Sequence, residues 1–231
     1  MIALPRLYPI LDAGYFPNAR ALIAAAEELA AAGVTLLQYR NKSGNARVMM
    51  QHARELRRLF PAQADVESHS NAAQNASLEW GTLSSEPHTT VRLVMNDRAD
   101  LCVAADFDGV HVGQEDLSPE SVRKIIGPGR RLGVSTHNPD QLREADLTSA
   151  DYLAIGPVFA TSSKAKPDPV VGLEGVRRAR ALTRKPLVAI GGITRANAAS
   201  VIEAGADSVA VISDLLREPR KSAEEFFRIL R

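Results

Sequence analysis

Short apolar runs of five to seven residues alternate along the chain with longer stretches whose apolar positions recur at helical spacing. LYPIL (7–11) precedes NARALIAAAEELAAAG, in which Asn18 is the predicted N-cap and Gly33 the C-terminal stop. VTLLQY (34–39) precedes GNARVMMQHARELRRLF, VRLVM (91–95) precedes DRADLCVAAD, and DGVHV (108–112) precedes SPESVRKIIG. RLGVS (131–135) leads to NPDQLREAD, DYLAIG (151–156) to GLEGVRRARALT, PLVAIG (186–191) to TRANAASVIEAG, and DSVAVIS (207–213) to KSAEEFFRIL. Aliphatic and β-branched strands with few charges suit parallel strands covered on both sides. Eight such units in one 231-residue domain favour an α/β fold of the (β/α)8 TIM-barrel type. An open doubly wound sheet is the alternative, and one misread strand would reopen it.

Residues 61–90 break the rhythm. PAQADVESHSNAAQNASLEWGTLSSEPHTT has no sustained period and is rich in Ser, Asn, Thr and Gln, so a polar insertion is expected between the second helix and the third strand. It carries no convergent charged groups and is expected to be peripheral, with Trp80 the one residue suited to pin it down.

Composition narrows the function. Lys plus Arg (28) nearly balance Asp plus Glu (27), which offers no general attraction to nucleic acid or anionic membrane. Any charge chemistry must be local. Hydrophobic residues make up 45% of the chain, the single cysteine, Cys102, sits in an apolar run, and no segment approaches spanning length. A cytoplasmic enzyme or binding protein acting on small molecules is expected. The oligomeric state is left open, a homo-oligomer included.

On a barrel of this kind, active residues lie where strands end. After the second strand come Gln38, Arg40 and Lys42; after the third, Asn96 and Asp97; after the fourth, HVGQED with Asp116. The fifth ends in Ser135 and Thr136, the sixth is followed by TSSK (161–164), the seventh by GGIT (191–194) and the eighth by Ser213. Singly, each has a bland reading as a loop charge, cap or turn. His111 reads as a hydrogen-bonded core histidine and His137 as structural, and no His/Cys spacing suggests zinc. Together the polar groups share one rim. GGIT before a helix offers unobstructed N–H groups at a positive dipole end, a phosphate seat. TSSK adds hydroxyls and an ammonium, as an anion-binding lid would. Two carboxylates on the same rim suggest Mg2+ held with substrate phosphate oxygens.

The motifs QYRNK, MNDRADL, DGVHVGQEDL, LGVSTHN, ADYLAIGPVFATSSK, AIGGIT and AVIS, in order from the first strand to the last, resemble the thiamine-phosphate synthase family. Only residues 61–90 fall outside the match. The resemblance implies a (β/α)8 fold and a Mg2+-dependent condensation of 4-amino-2-methyl-5-pyrimidinylmethyl diphosphate with a thiazole phosphate, or its carboxylated form. The products would be thiamine phosphate and pyrophosphate. It further implies that Gln38, Arg40, Lys42, Asn96, Ser135 and Lys164 hold the pyrimidine diphosphate, with Arg40, Lys42, Ser135 and Lys164 the catalytic set. Asp97 and Asp116 are implied as Mg2+ ligands, with Glu115 a decoy. Thr161, Ser163, Gly192, Ile212 and Ser213 are implied for the thiazole phosphate. Ser163 stands where the family more often has Thr, and Asn41 where an acid is commoner. A thiazole tautomerase-like relative, expected to carry His in place of Ser135, and a regulatory barrel without turnover are the rival readings.

Overall fold

The computed structural model describes residues 4–62, 90–161 and 168–231. Nearly all of the expected insertion, and both Ser163 and Lys164, lie outside these residues.

Eight parallel strands close into a barrel in the order β1-β2-β3-β4-β5-β6-β7-β8, which removes the open-sheet alternative. They are β1 Leu7–Asp12, β2 Leu36–Arg40, β3 Arg92–Asn96, β4 Gly109–Val112, β5 Arg131–Thr136, β6 Tyr152–Ile155, β7 Leu187–Ile190 and β8 Ser208–Val211. Around them run α1 Ala19–Ala31, α2 Ala46–Leu59, α3 Ala99–Ala104, α4 Pro119–Ile126, α5 Pro139–Asp146, α6 Gly172–Leu182, α7 Ala198–Glu203, α8 Ser213–Leu216 and α9 Pro219–Ile229. The predicted cap holds: Asn18 accepts from the Ala21 N–H at 3.0 Å, and Gly33 follows α1 at φ 100°. No described helix is long and apolar enough to cross a membrane.

The two-residue period of the strands sorts the side chains into two cores. Leu7, Leu11, Leu37, Leu93, Leu132 and Leu153 pack outward against the helices. Their neighbours Tyr8, Ile10, Leu36, Val94, Tyr152 and Ala154 fill the barrel interior. Continued toward the strands' C-terminal ends, the inward series becomes polar: Asp12 on β1, Gln38 and Arg40 on β2, Asn96 on β3, His111 on β4 and Ser135 on β5. The strand register aligns these residues as neighbours, with Asp12 opposite Arg40 and Asn96 opposite His111.

The opposite end of the barrel is locked by a device used three times. Asp108, Asp151 and Asp207 each accept, at 2.7 Å, the backbone N–H of a leucine in the neighbouring strand: Leu93, Leu132 and Leu187. Each also pairs with an arginine of a helix two units apart in the repeat, Arg57, Arg123 and Arg180, at 2.7 to 2.8 Å.

Candidate active site

Three charged groups meet beyond β2, β3 and β4. Lys42 Nζ donates to Asp97 Oδ2 at 2.5 Å, and Asp116 lies close enough to interact with both. Asp116 is exposed at the rim, but its carboxyl is turned back to accept the Gly113 N–H at 2.7 Å. Burial of that carboxyl comes first in raising Asp116 above the usual carboxylate range; Asp97 adds to the rise, and the Gly113 N–H and Lys42 oppose it. The two acids, remote in sequence, are therefore partners. Glu115 is exposed and makes no hydrogen bond or ion pair with a described residue.

Asp97 is set by an unusual backbone. At φ 62° it sits in the left-handed region, which non-glycine residues rarely occupy. The turn is closed by the Arg98 N–H donating to Asn96 O, and the Asp97 N–H donates to His111 O, both at 2.8 Å. Beside it, the Asn96 Nδ2 is buried without a hydrogen-bond partner among the described residues. An orphaned donor of this kind costs about 1–3 kcal/mol unless a ligand accepts from it.

Arg40 pairs with Asp12, a residue that sequence reasoning did not single out. Asn41, where an acid was expected, instead donates to the Tyr39 hydroxyl at 3.0 Å and accepts from the Ser43 N–H at 2.9 Å. The carboxylate partner of Arg40 therefore comes from β1 and not from position 41.

Beneath the rim, buried polar side chains form a continuous chain. Gln38 Nε2 donates to the Tyr8 hydroxyl at 3.1 Å, and the Tyr8 and Tyr152 hydroxyls are 2.8 Å apart. Tyr152 contacts His111 Nδ1 at 3.1 Å, and His111 Nε2 lies 2.8 Å from Ser135 Oγ. Burial pushes Tyr8 up to about 12 and His111 down to about 4, so both are neutral near pH 7. His111 is the hydrogen-bonded core histidine expected, but its partner is a site residue. Gly133 makes this possible: a Cβ there would lie 2.1 Å from Tyr152 Cζ and 2.4 Å from His111 Nδ1.

A second candidate anion seat lies beyond β7 and β8. Gly191 (φ 100°) and Gly192 (φ 63°) form a turn that no side chain would fit, since a Cβ on Gly192 would lie 2.5 Å from Ala160 O. That contact brings Thr161, next in sequence, to the same place. Gly192 and Ile193 donate their N–H groups to no described residue. The dipole reading needs correction: α7 starts only at Ala198 and has six residues, so it does not point at Gly192. Tied to this turn through Arg195 is the four-residue α8, whose first N–H groups belong to Ser213 and Asp214, with Ile212 at its N-cap. Arg195 fixes the arrangement. Its backbone N–H and guanidinium both donate to Asp214, at 2.8 to 3.1 Å, tying the β7 loop to α8. Partial burial pushes the Asp214 carboxyl up, but Arg195 outweighs it and leaves the group below the usual range.

The structure thus brings Gln38, Arg40, Lys42, Asn96, Asp97, Asp116 and Ser135 to one half of the rim. Thr161, Gly192, Ile212 and Ser213 occupy the other. Ser163 and Lys164 belong to the loop between these halves in sequence and lie outside the described residues. Two other candidates are structural: His137 Nδ1 is 2.6 Å from Gly156 O, and Cys102 is buried with its thiol pushed up to about 12 by burial. Among the described residues no three His, Cys, Asp or Glu side chains converge as a metal cage. The hard donor set is Asp97 plus Asp116, which fits an ion that takes one or two carboxylates and completes its shell with water and phosphate oxygens.

With this geometry established, similarity to known proteins is informative. A family profile described as Thiamine monophosphate synthase matches residues 84–215. A Koribacter versatilis protein named Thiamine-phosphate synthase is 55% identical over 232 residues, covering 99% of this chain and 97% of its own length. One of the same name from Chloroflexus aurantiacus is 39% identical, over 90% of this chain and 83% of its own. The solved Thiamine phosphate pyrophosphorylase from Pyrococcus furiosus superposes with a TM-score of 0.75 at 31% identity, covering 97% of this chain and 95% of its own. The chain belongs to the thiamine-phosphate synthase family of transferases.

Proposed function

We propose that the enzyme joins 4-amino-2-methyl-5-pyrimidinylmethyl diphosphate to 4-methyl-5-(2-phosphoethyl)thiazole, or its carboxylated form, releasing pyrophosphate and leaving thiamine phosphate. The observation that carries this reading is the division of one rim into two anion seats of different chemistry. One has an ammonium over a carboxylate pair, suited to a metal-bound diphosphate. The other has backbone N–H groups and a hydroxyl, suited to a phosphate monoester.

Asp97 and Asp116 are the residues that would hold Mg2+, and Mg2+ supplies charge neutralisation for the diphosphate oxygens. Arg40, Lys42 and Lys164 act on the same oxygens. The bond between the pyrimidine methylene and the diphosphate oxygen breaks, and its electron pair leaves with pyrophosphate. Positive charge left on the methylene spreads into the aminopyrimidine, which is electron-rich. Guanidinium and ammonium groups fixed around the leaving group stabilise charge where it grows. Asn96 Nδ2, buried and unpartnered, is suited to donate to the same ligand. The thiazole nitrogen, held through its phosphate at Gly192 and Ser213 with Thr161 and Ser163, then forms the new C–N bond with its lone pair. No side chain acts as nucleophile; positioning supplies the rest of the rate.

Phosphorus NMR of the protein with both substrates and Mg2+ tests the reading. One pyrophosphate should appear for each thiamine phosphate. Consumption of neither substrate would contradict it, as would hydrolysis of the diphosphate without coupling.

A further inference from the structure

The buried chain from Gln38 to Ser135 has a direction, and the direction follows from counting protons. Gln38 Nε2 donates to the Tyr8 hydroxyl, so the proton of Tyr8 must go elsewhere, and its other neighbour is Tyr152 at 2.8 Å. Tyr152, accepting from Tyr8, sends its own proton to His111 Nδ1 at 3.1 Å. A neutral imidazole carries one proton, so with Nδ1 accepting, that proton sits on Nε2 and is donated to Ser135 Oγ at 2.8 Å. His111 is the one described partner of that hydroxyl oxygen. The proton of Ser135 is therefore the one left over at the end of the chain. An imidazolium would break the sequence, because donation from Nδ1 leaves a buried phenol proton without an acceptor.

At the other end, Gln38 gives one Nε2 proton to Tyr8, and its Oε1 makes no hydrogen bond with a described residue. The two ends then offer opposite chemistry: a hydroxyl proton at Ser135 and a carbonyl oxygen at Gln38. An aminopyrimidine presents the complement, a ring nitrogen that accepts and an exocyclic amine that donates.

We propose that the Gln38–Tyr8–Tyr152–His111–Ser135 chain is a one-way hydrogen-bond relay that fixes Ser135 as a donor and Gln38 as an acceptor, and so selects an aminopyrimidine. The ligand half of this inference rests on the function proposed above; the direction of the relay does not. His111, Tyr152 and Tyr8 are positioning residues, acting on the substrate through Ser135 and Gln38. Reversing the chain would turn Ser135 into an acceptor and place two acceptors against the ring nitrogen.

Nitrogen-15 NMR of the labelled wild-type protein reads the tautomer directly, with the His111 signals assigned by their loss in His111→Gln. The expected result is one neutral tautomer, protonated on Nε2 and pyridine-like at Nδ1. In Tyr8→Phe the Tyr152 proton still has only Nδ1 to go to, so the Nε2–H tautomer should persist while Gln38 loses its partner. KM for the pyrimidine diphosphate should rise about tenfold, the effect of about one lost hydrogen bond. KM for the thiazole phosphate should stay unchanged. Tyr152→Phe removes the proton donor to Nδ1, and in this variant both tautomers should appear. A wild-type His111 protonated on Nδ1, or on both nitrogens at neutral pH, would overturn the proposal, as would a single unchanged tautomer in Tyr152→Phe. A wild-type protein with the Nε2–H tautomer but no pyrophosphate release would uphold the relay and overturn the substrate assignment alone.

Discussion

Burial of His111 inside the barrel makes the fold sensitive to acid in a calculable way. The imidazole falls from its ordinary value of 6.5 to about 4, with burial the main cause and the Asp116 carboxylate opposing it. In the unfolded chain the same group takes up its proton near its ordinary value. As pH drops from 7, unfolded molecules therefore bind a proton that folded ones refuse, and stability falls with pH across that window. The loss should be about 2 kcal/mol at pH 5 and about 3 kcal/mol at pH 4, below which both states are protonated and the loss levels off. Asp116 acts in the opposite sense, since a carboxyl held above its usual range binds its proton first in the folded state. Comparing wild type with His111→Gln separates the two. Urea unfolding of both proteins across this pH range should show the wild type losing about 3 kcal/mol more than the variant between pH 7 and pH 4. A constant difference between the two proteins would refute the claim that His111 is buried and neutral. A difference of opposite sign would show that the folded state holds the imidazolium.

Gly192→Ala places a Cβ against Ala160 O at φ 63°, so it should cost about 1–3 kcal/mol in urea unfolding and raise KM for the thiazole phosphate; an unchanged KM would remove Gly192 from that seat. Lys164→Ala should lower kcat through the departing diphosphate, whereas Ser213→Ala should chiefly raise KM for the thiazole phosphate; exchange of these two patterns would invert the proposed division of the rim. Asp151→Ala removes the acceptor of the Leu132 N–H and the partner of Arg123 at the far end of the barrel. It should cost about 2 kcal/mol in stability while leaving both KM values unchanged.

The barrel was legible because its strands are buried on both faces and read as plain apolar runs, while Asn18 and Gly33 mark the ends of the first helix with standard chemistry. The rim was legible because inward positions change from apolar to polar where each strand ends, as from Leu36 to Gln38 and Arg40. Asp12 escaped notice because the first run was ended at Leu11, although the spacing Tyr8, Ile10, Asp12 points it inward. The relay needs five residues from five different strands, and only the register places Ser135 and Tyr152 beside His111. Helix α8 is four residues long, too short for any period to show. Its place beside the β7 loop depends on Arg195 holding Asp214, a contact between residues 19 positions apart.

The central claim is that Asp97 and Asp116 act as a pair that holds Mg2+ against the diphosphate. Asn tolerates the left-handed backbone at position 97 as well as Asp does, and the exposed pairing with Lys42 contributes at most about 1 kcal/mol. Asp97→Asn and Asp116→Asn should therefore both fold normally. The decisive measurement is the Mg2+ dependence of pyrophosphate release at saturating substrates in the wild type and in each variant. Both variants should need at least about tenfold more Mg2+ to reach half-maximal turnover, because each loses a charged ligand from an ion that takes few from the protein. Midpoints unchanged from wild type in both variants would contradict the claim and return the two carboxylates to the role of ordinary surface charges.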